Sequence, residues 1–233
     1  MFSDSTKGLL GWHSRKEYKI EQTAAAEKHA AYIQQIKEKS LPEIQADGEL
    51  MNFAVQGGAA AFKVNCIQCH GSGAAGSAGY PNLNDDDWIW GGKVDDIYTT
   101  IAHGVRSPDD EDTRVSDMPA FADVLEPAQI RQVAAYIVSA RGDQPHNTDM
   151  VAPGEVVFRD NCAACHGEKG EGNREFGAPN LVDALWLKAH SENELISQIR
   201  QPKHGVMPAW EVRLGEATVK QLALYVHSLG GGE

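Results

Sequence analysis

NCIQCHG, starting at Asn65, and NCAACHG, starting at Asn161, contain every cysteine of the 233-residue chain, four in all. Cys-x-x-Cys supports three chemistries, and the flanking residues choose among them. A zinc site built from both pairs would hold them roughly 12–20 residues apart, whereas Cys66 and Cys162 are almost a hundred residues apart. A dithiol redox motif sits in a strand–helix unit with parallel strands, and the sequence around both motifs reads helical. What remains is Cys-x-x-Cys-His, the attachment signature of c-type haem. In this arrangement Cys66 and Cys69, and again Cys162 and Cys165, form thioethers to the haem vinyls, and His70 and His166 are axial iron ligands. The motif occurs twice, so two covalently bound haem c groups are expected.

A second axial ligand is offered in matched form. DMPAF carries Met118 and VMPAW carries Met207. A thioether is neutral and soft, so it favours ferrous iron and raises the potential relative to a second histidine. Met1, Met51 and Met150 read as core filling. Met118 is expected to serve the first haem and Met207 the second.

Other matched residues surround these ligands. Pro81 and Pro179 each open a PNL a short loop after His70 and His166. Each can offer the backbone carbonyl to which a ligand histidine donates its other ring N–H. Trp88 and Trp186, five residues past the leucine of each PNL, are expected to line the haem or its propionates, with core packing as the alternative. His103 and His204 precede the methionines and are expected to be surface or hydrogen-bonded histidines rather than ligands.

The elements that must position these groups repeat as well. AAFKVNCIQCHG answers EVVFRDNCAACHG, YPNLNDDDWIWGG answers APNLVDALWLKAH, and MPAFADVLEPAQIRQVAAYIVSARG aligns without a gap on MPAWEVRLGEATVKQLALYVHSLGG. The chain is a tandem duplication. It divides into an N-terminal stalk (1–47), a first module (48–142), a linker (143–149) and a second module (150–233). Each module predicts a helix delivering its cysteines, with Asp47 and Pro153 as start signals. A short helix follows over VDDIYTTIAHG or SENELISQIRQ, where Ser191 and Glu194 form a capping pair. A C-terminal helix ends at Gly142 or Gly230, with Tyr136 and Tyr225 at equivalent positions. The fold class is all-α. The run SRKEYKIEQTAAAEKHAAYIQQIKEKS predicts a stalk helix closing at Pro42, its modest apolar face made by Tyr32, Ile33 and Ile36. Solvated linker and helix packed on the first module stay equally open.

Each half resembles a class I cytochrome c, and the whole resembles the dihaem subunit of a cbb3-type cytochrome c oxidase, the CcoP or FixP type. The narrower match rests on GLLGW followed by a charged, alanine-rich helix, and on YPNLNDDDWIWGG after the first haem motif. The resemblance implies electron transfer from a soluble donor cytochrome c to the oxygen-reducing subunit, with no bond-making site of its own. It also implies other oxidase subunits as partners and a periplasmic position on the bacterial inner membrane. Members of that family carry an N-terminal membrane anchor. Here no apolar run approaches the ~20 residues that span a bilayer, and MFSDSTKGLLGW lacks the basic start and apolar core of a secretory signal. A soluble piece of a longer, anchored protein is therefore expected.

The formal net charge of −12 disfavours nucleic-acid binding. Residues 48–142 hold 13 acidic against 6 basic side chains and residues 150–233 hold 11 against 8, so the excess lies mainly in the first module. Part of it is RSPDDEDTRVSD, which separates HGV from Met118, whereas HGV abuts Met207 directly. This loop is expected to flank the methionine side of the first haem and to steer a basic redox partner. Asp109, Asp110, Glu111 and Asp112 lack the spaced ligand pattern of a calcium loop. Two other functional classes fit the same motifs: a free dihaem shuttle of the cytochrome c4 type, and a dihaem peroxidase in which one haem opens a position for substrate.

Overall fold

The computed structural model describes residues 14–184 and 186–233. GLLGW and Met1 lie outside the described residues. Helices carry the architecture: α1 (Ser14–Glu38), α2 (Leu41–Ala46), α3 (Gly48–Asn65), α4 (Ile67–His70), α5 (Val94–His103), α6 (Pro127–Ala140), α7 (Val151–Asn161), α8 (Ala163–His166), α9 (Glu192–Arg200), α10 (Glu211–Leu214) and α11 (Glu216–His227). Among the described residues only isolated β-bridges occur and no strand forms. The chain is all-α.

Local signals account for most helix ends. Asp47 caps α3 by accepting from Leu50 N–H at 3.2 Å, which satisfies a donor the first turn leaves free. Ser191 caps α9 through Glu194 N–H. The Glu194 carboxylate in turn takes the N–H of His190, one residue earlier than in a standard capping box. Gly142 lies just beyond α6 at φ 94°, the left-handed backbone that closes a helix at little cost in glycine. Helix α7 begins at Val151, so Pro153 lies inside its first turn rather than at its start. Pro42 does not close the stalk helix but opens α2, one turn after α1 ends at Glu38.

The helices do not close within their own repeats. Helix α3 of the first repeat packs on α11 of the second, and α6 of the first repeat packs on α7 of the second. The crossings are glycine-mediated. A Cβ on Gly58 would lie 2.1 Å from Gln221 O, and one on Gly154 would lie 2.0 Å from Gln132 O. One aromatic pair stands beside each crossing, Phe62 with Tyr225 at 5.4 Å between centroids and Phe158 with Tyr136 at 5.2 Å.

Two cores follow. The first unites Leu50, Phe62, Ile97 and Ile101 of the first repeat with Val219, Leu222 and Leu224 of the second. The second unites Phe121, Ile130, Val133 and Ile137 with Phe158, Leu195 and Ile199. The contiguous stretch from about residue 118 to 204 thus forms one packed unit, and the other is built from the segments on either side of it. Each packed unit therefore draws on both of the repeats expected from the sequence, 48–142 and 150–233. The crossover is pinned by an antiparallel bridge between Val105 and Met207.

Helix α1 is exposed along residues 14–31, and its C-terminal end joins the first core through Tyr32, Ile33 and Ile36. Lys220, buried on α11, donates to the carbonyls of Ile36, Lys37 and Lys39 at 3.2, 2.9 and 3.0 Å and pairs with Glu216 at 2.8 Å. The last carbonyls of α1 have no partner within the helix, and a buried cation there satisfies them and suits the dipole. Of the two readings the sequence left open, the packed one holds for this end of the helix.

Candidate haem centres

Helices α3 and α7 each run into a Cys-x-x-Cys-His turn. His70 N–H bonds back to Cys66 O and His166 N–H to Cys162 O, each at 3.0 Å. This single turn presents both thiols and the following imidazole from one short element. All four thiols are free. Cys66 and Cys162 are more than half-buried, which pushes each thiol up to about 11, with the neighbouring Cys69 or Cys165 adding to the shift.

Both histidines are oriented in the same way. The Nδ1–H of His70 donates to Pro81 O at 3.1 Å, and that of His166 to Pro179 O at 3.0 Å. This fixes the tautomer and leaves Nε2 with its lone pair available to a metal. Burial holds both imidazoles below the ordinary histidine range, against the opposing effect of the proline carbonyl. A neutral, oriented imidazole beside two unpaired thiols is the donor set that a covalently attached haem requires, so the residues fit that group.

The methionines are exchanged between repeats. Met118 packs against the core that contains Cys162, Phe158 and Trp186, and Met207 against the core that contains Cys66, Phe62 and Trp88. The expected pairing of Met118 with the first motif and Met207 with the second is therefore corrected: each packs with the other repeat's motif. The cause is the exchange of α6 and α11, since each methionine loop leads directly into the helix that crosses over.

Trp88 and Trp186 pack against the first and second core respectively, and their N–H groups are engaged by backbone. Trp88 Nε1 donates to Gly231 O at 2.5 Å and Trp186 Nε1 to Leu181 O at 3.1 Å. The Arg141 guanidinium lies 4.0 Å from the Trp186 ring centroid. Both indole N–H groups are thus satisfied by backbone carbonyls.

His103 is a hydrogen-bonded histidine, as expected, with Nδ1 3.2 Å from Asp110. Its ring groups with Asp110 and Asp112 within 4.8 Å, a cluster the sequence missed because His103 and the loop were read apart. The acidic loop is thereby fastened to α5, on the first packed unit, while Met118 beyond it goes to the second. His204 faces Asp117 at 3.5 Å.

A cleft between the two units is lined by Asp87, Trp88, Arg174, Pro179 and Asp183, among others. Burial pushes the Asp87 carboxyl up to about 6, with Asp183 and Asp85 adding and Arg174 opposing.

A family model described as cytochrome c oxidase, cbb3-type, subunit III matches residues 53–137 and again 149–226. The chain belongs to this family. Its relatives include the cbb3-type cytochrome c oxidase subunit FixP of Rhizobium meliloti (strain 1021), 58% identical over 100% of this chain and 80% of the relative. FixP of Sinorhizobium medicae (strain WSM419) is 56% identical over the same shares. Subunit CcoP of Cereibacter sphaeroides is 46% identical over 100% of this chain and 81% of its own length. The double match of the subunit III model follows the sequence repeats, each carrying one Cys-x-x-Cys-His turn, although the packed units of this subunit III chain cross between them. Among the described residues no helix is long and apolar enough to cross a membrane.

Proposed function

We propose that this subunit III chain carries two haem c groups and relays single electrons from a soluble donor cytochrome c to the oxygen-reducing subunit of a cbb3-type oxidase. On this reading it works on the periplasmic side of the inner membrane, held there by a segment beyond this sequence, and it makes and breaks no substrate bond itself. The observation that carries the reading is the duplicated donor set: two oriented, neutral imidazoles beside two free thiol pairs, each with a methionine packed into the same core.

When bound, haem supplies a one-electron couple at each motif. Cys66 with Cys69, and Cys162 with Cys165, would hold it covalently. His70 and His166 would bind iron through Nε2, while Pro81 and Pro179 keep each ring from rotating and strengthen it as a donor. Met207 would complete the first site and Met118 the second, raising both potentials relative to a second imidazole. A histidine and a methionine supplied together to each iron would keep water and substrate off it, as a carrier needs and a peroxidase does not.

Haem counting and carbon monoxide titration of the reduced protein at neutral pH test this. Two haems per chain with neither binding carbon monoxide are expected; ready binding at either would favour the peroxidase class.

A further inference from the structure

The second tryptophan of the DDDWIWGG stretch is explained by neither core. Trp88 packs on the first core, but Trp90, half-buried, is absent from both. Its ring lies instead on the backbone of Gly177, in the loop that follows the second haem motif. A Cβ on Gly177 would be 2.1 Å from Cζ2, 2.4 Å from Cη2 and 2.5 Å from Cε2 of Trp90, and Gly177 has φ 57°. Only glycine admits the ring so closely in that conformation.

The surroundings show that this contact is held from both sides. The Arg114 guanidinium lies 5.2 Å from the Trp90 ring centroid. Arg114 itself is tied to α5 through Asp96 at 3.7 Å and to Arg106 through its carbonyl at 2.8 Å. Three residues before Gly177, Arg174 donates to Trp88 O at 3.2 Å and pairs with Glu233 at 2.5 Å. Two residues after Gly177, the Pro179 carbonyl receives His166 Nδ1–H. The loop that orients His166 is therefore clamped against the loop that leads out of Pro81, the partner of His70.

We infer that Trp90, seated on Gly177, is a positioning residue that sets the mutual orientation of the two haem-binding units and so the rate of electron exchange between them. The inference rests on the dihaem relay proposed above. The crossed helices close each unit on itself and do not bridge the two, and inter-unit contacts permit relative motion. An aromatic ring in a glycine notch restricts that motion where the two loops that orient the histidines, those of Pro81 and Pro179, meet. Exchange depends on fixed separation and orientation, which a loose hinge would average away.

The test uses the full chain carrying its haems, with Trp90→Ala, Trp90→Phe, Gly177→Ala and the Trp90→Ala/Gly177→Ala double variant. The readouts are the Soret circular-dichroism couplet from haem–haem coupling and the rate of inter-haem equilibration after rapid partial reduction. Haem content, the absorption of each haem and the thermal midpoint report on folding and ligation. Trp90→Ala is expected to diminish the couplet and slow equilibration severalfold while each haem's absorption stays unchanged, and Trp90→Phe to recover part of both. Gly177→Ala should act alike, and the double variant should be no worse than Trp90→Ala, because both substitutions remove one contact. Wild-type couplet and rate in Trp90→Ala, or additive losses in the double variant, would overturn the inference. A haem count below two in the unsubstituted chain would instead overturn the relay reading, and the inference with it.

Discussion

Val105 and Met207 hold one another by two backbone hydrogen bonds of 2.9 Å, Val105 N–H to Met207 O and Met207 N–H to Val105 O. Val105 closes the first HGV, and Met207 follows the second, so the bridge ties the methionine of one repeat to the loop after α5 of the other. Gly104 makes the approach feasible: a Cβ there would be 2.3 Å from Met207 O. The exchange of the methionine loops between repeats follows from this junction, and iron ligation by the exchanged methionines can be tested.

In a variant keeping only the first attachment motif, through Cys162→Ala and Cys165→Ala, the single haem should depend on Met207. Met207→Ala is expected to abolish the methionine–iron charge-transfer band, lower the potential and open the iron to carbon monoxide, whereas Met118→Ala leaves all three alone. The reverse pattern would return each methionine to its own repeat.

Lys220→Met should free the end of α1 from α11. Three carbonyls lose a charged donor, two of them at distances of 3.0 Å or less, and the loss is expected to be about 3 kcal/mol. Urea unfolding measures it, and limited proteolysis should cut near Lys37 and Lys39 earlier than in the parent protein.

Asp87 supplies a pH dependence of defined sign. Its folded carboxyl is raised to about 6 from an ordinary value near 4. The folded state therefore binds the proton more tightly, and this residue's contribution to stability falls as pH rises through that window. Asp87→Asn should stabilise the protein by about 1 kcal/mol at pH 7, the figure discounted for solvent screening. The gain should vanish below about pH 4. Thermal midpoints across that range would expose a gain that persists into acid.

The acidic loop offers a kinetic prediction. Asp110 anchors it to His103, while Asp109, Glu111 and Asp112 are exposed. Replacing those three by Asn or Gln should slow reduction by a basic cytochrome c in stopped flow and flatten its salt dependence. Steering by exposed charge operates over a Debye length of about 8–10 Å. An unchanged salt slope would mean that the donor arrives elsewhere.

Much of this was readable from residue types alone. Covalent attachment needs two cysteines and a histidine on one turn, and spacing reveals that directly. Helical periodicity, Asp47 and Ser191 as caps, and the PNL prolines at equal offsets all depend on interactions within a few residues, so they survive in the linear order. The linear order holds one further signal: the connector between α6 and α7 spans only residues 141–150. Consecutive helices on so short a loop tend to pack on each other, and closing a short loop costs little entropy.

The sequence by itself determined that this is an all-α chain of two like units, each with thiols, an oriented imidazole and a methionine to offer. Only the tertiary structure decided which methionine packs into which core. Helices α6 and α11 present equivalent faces, Tyr136 matching Tyr225, and α3 and α7 present equivalent notches at Gly58 and Gly154. Either pairing satisfies the same local pattern, so periodicity cannot choose. The choice falls to the whole chain's connectivity: α6 docks on the neighbour its short connector reaches, and α3 is left to be closed by α11 from the far end of the chain.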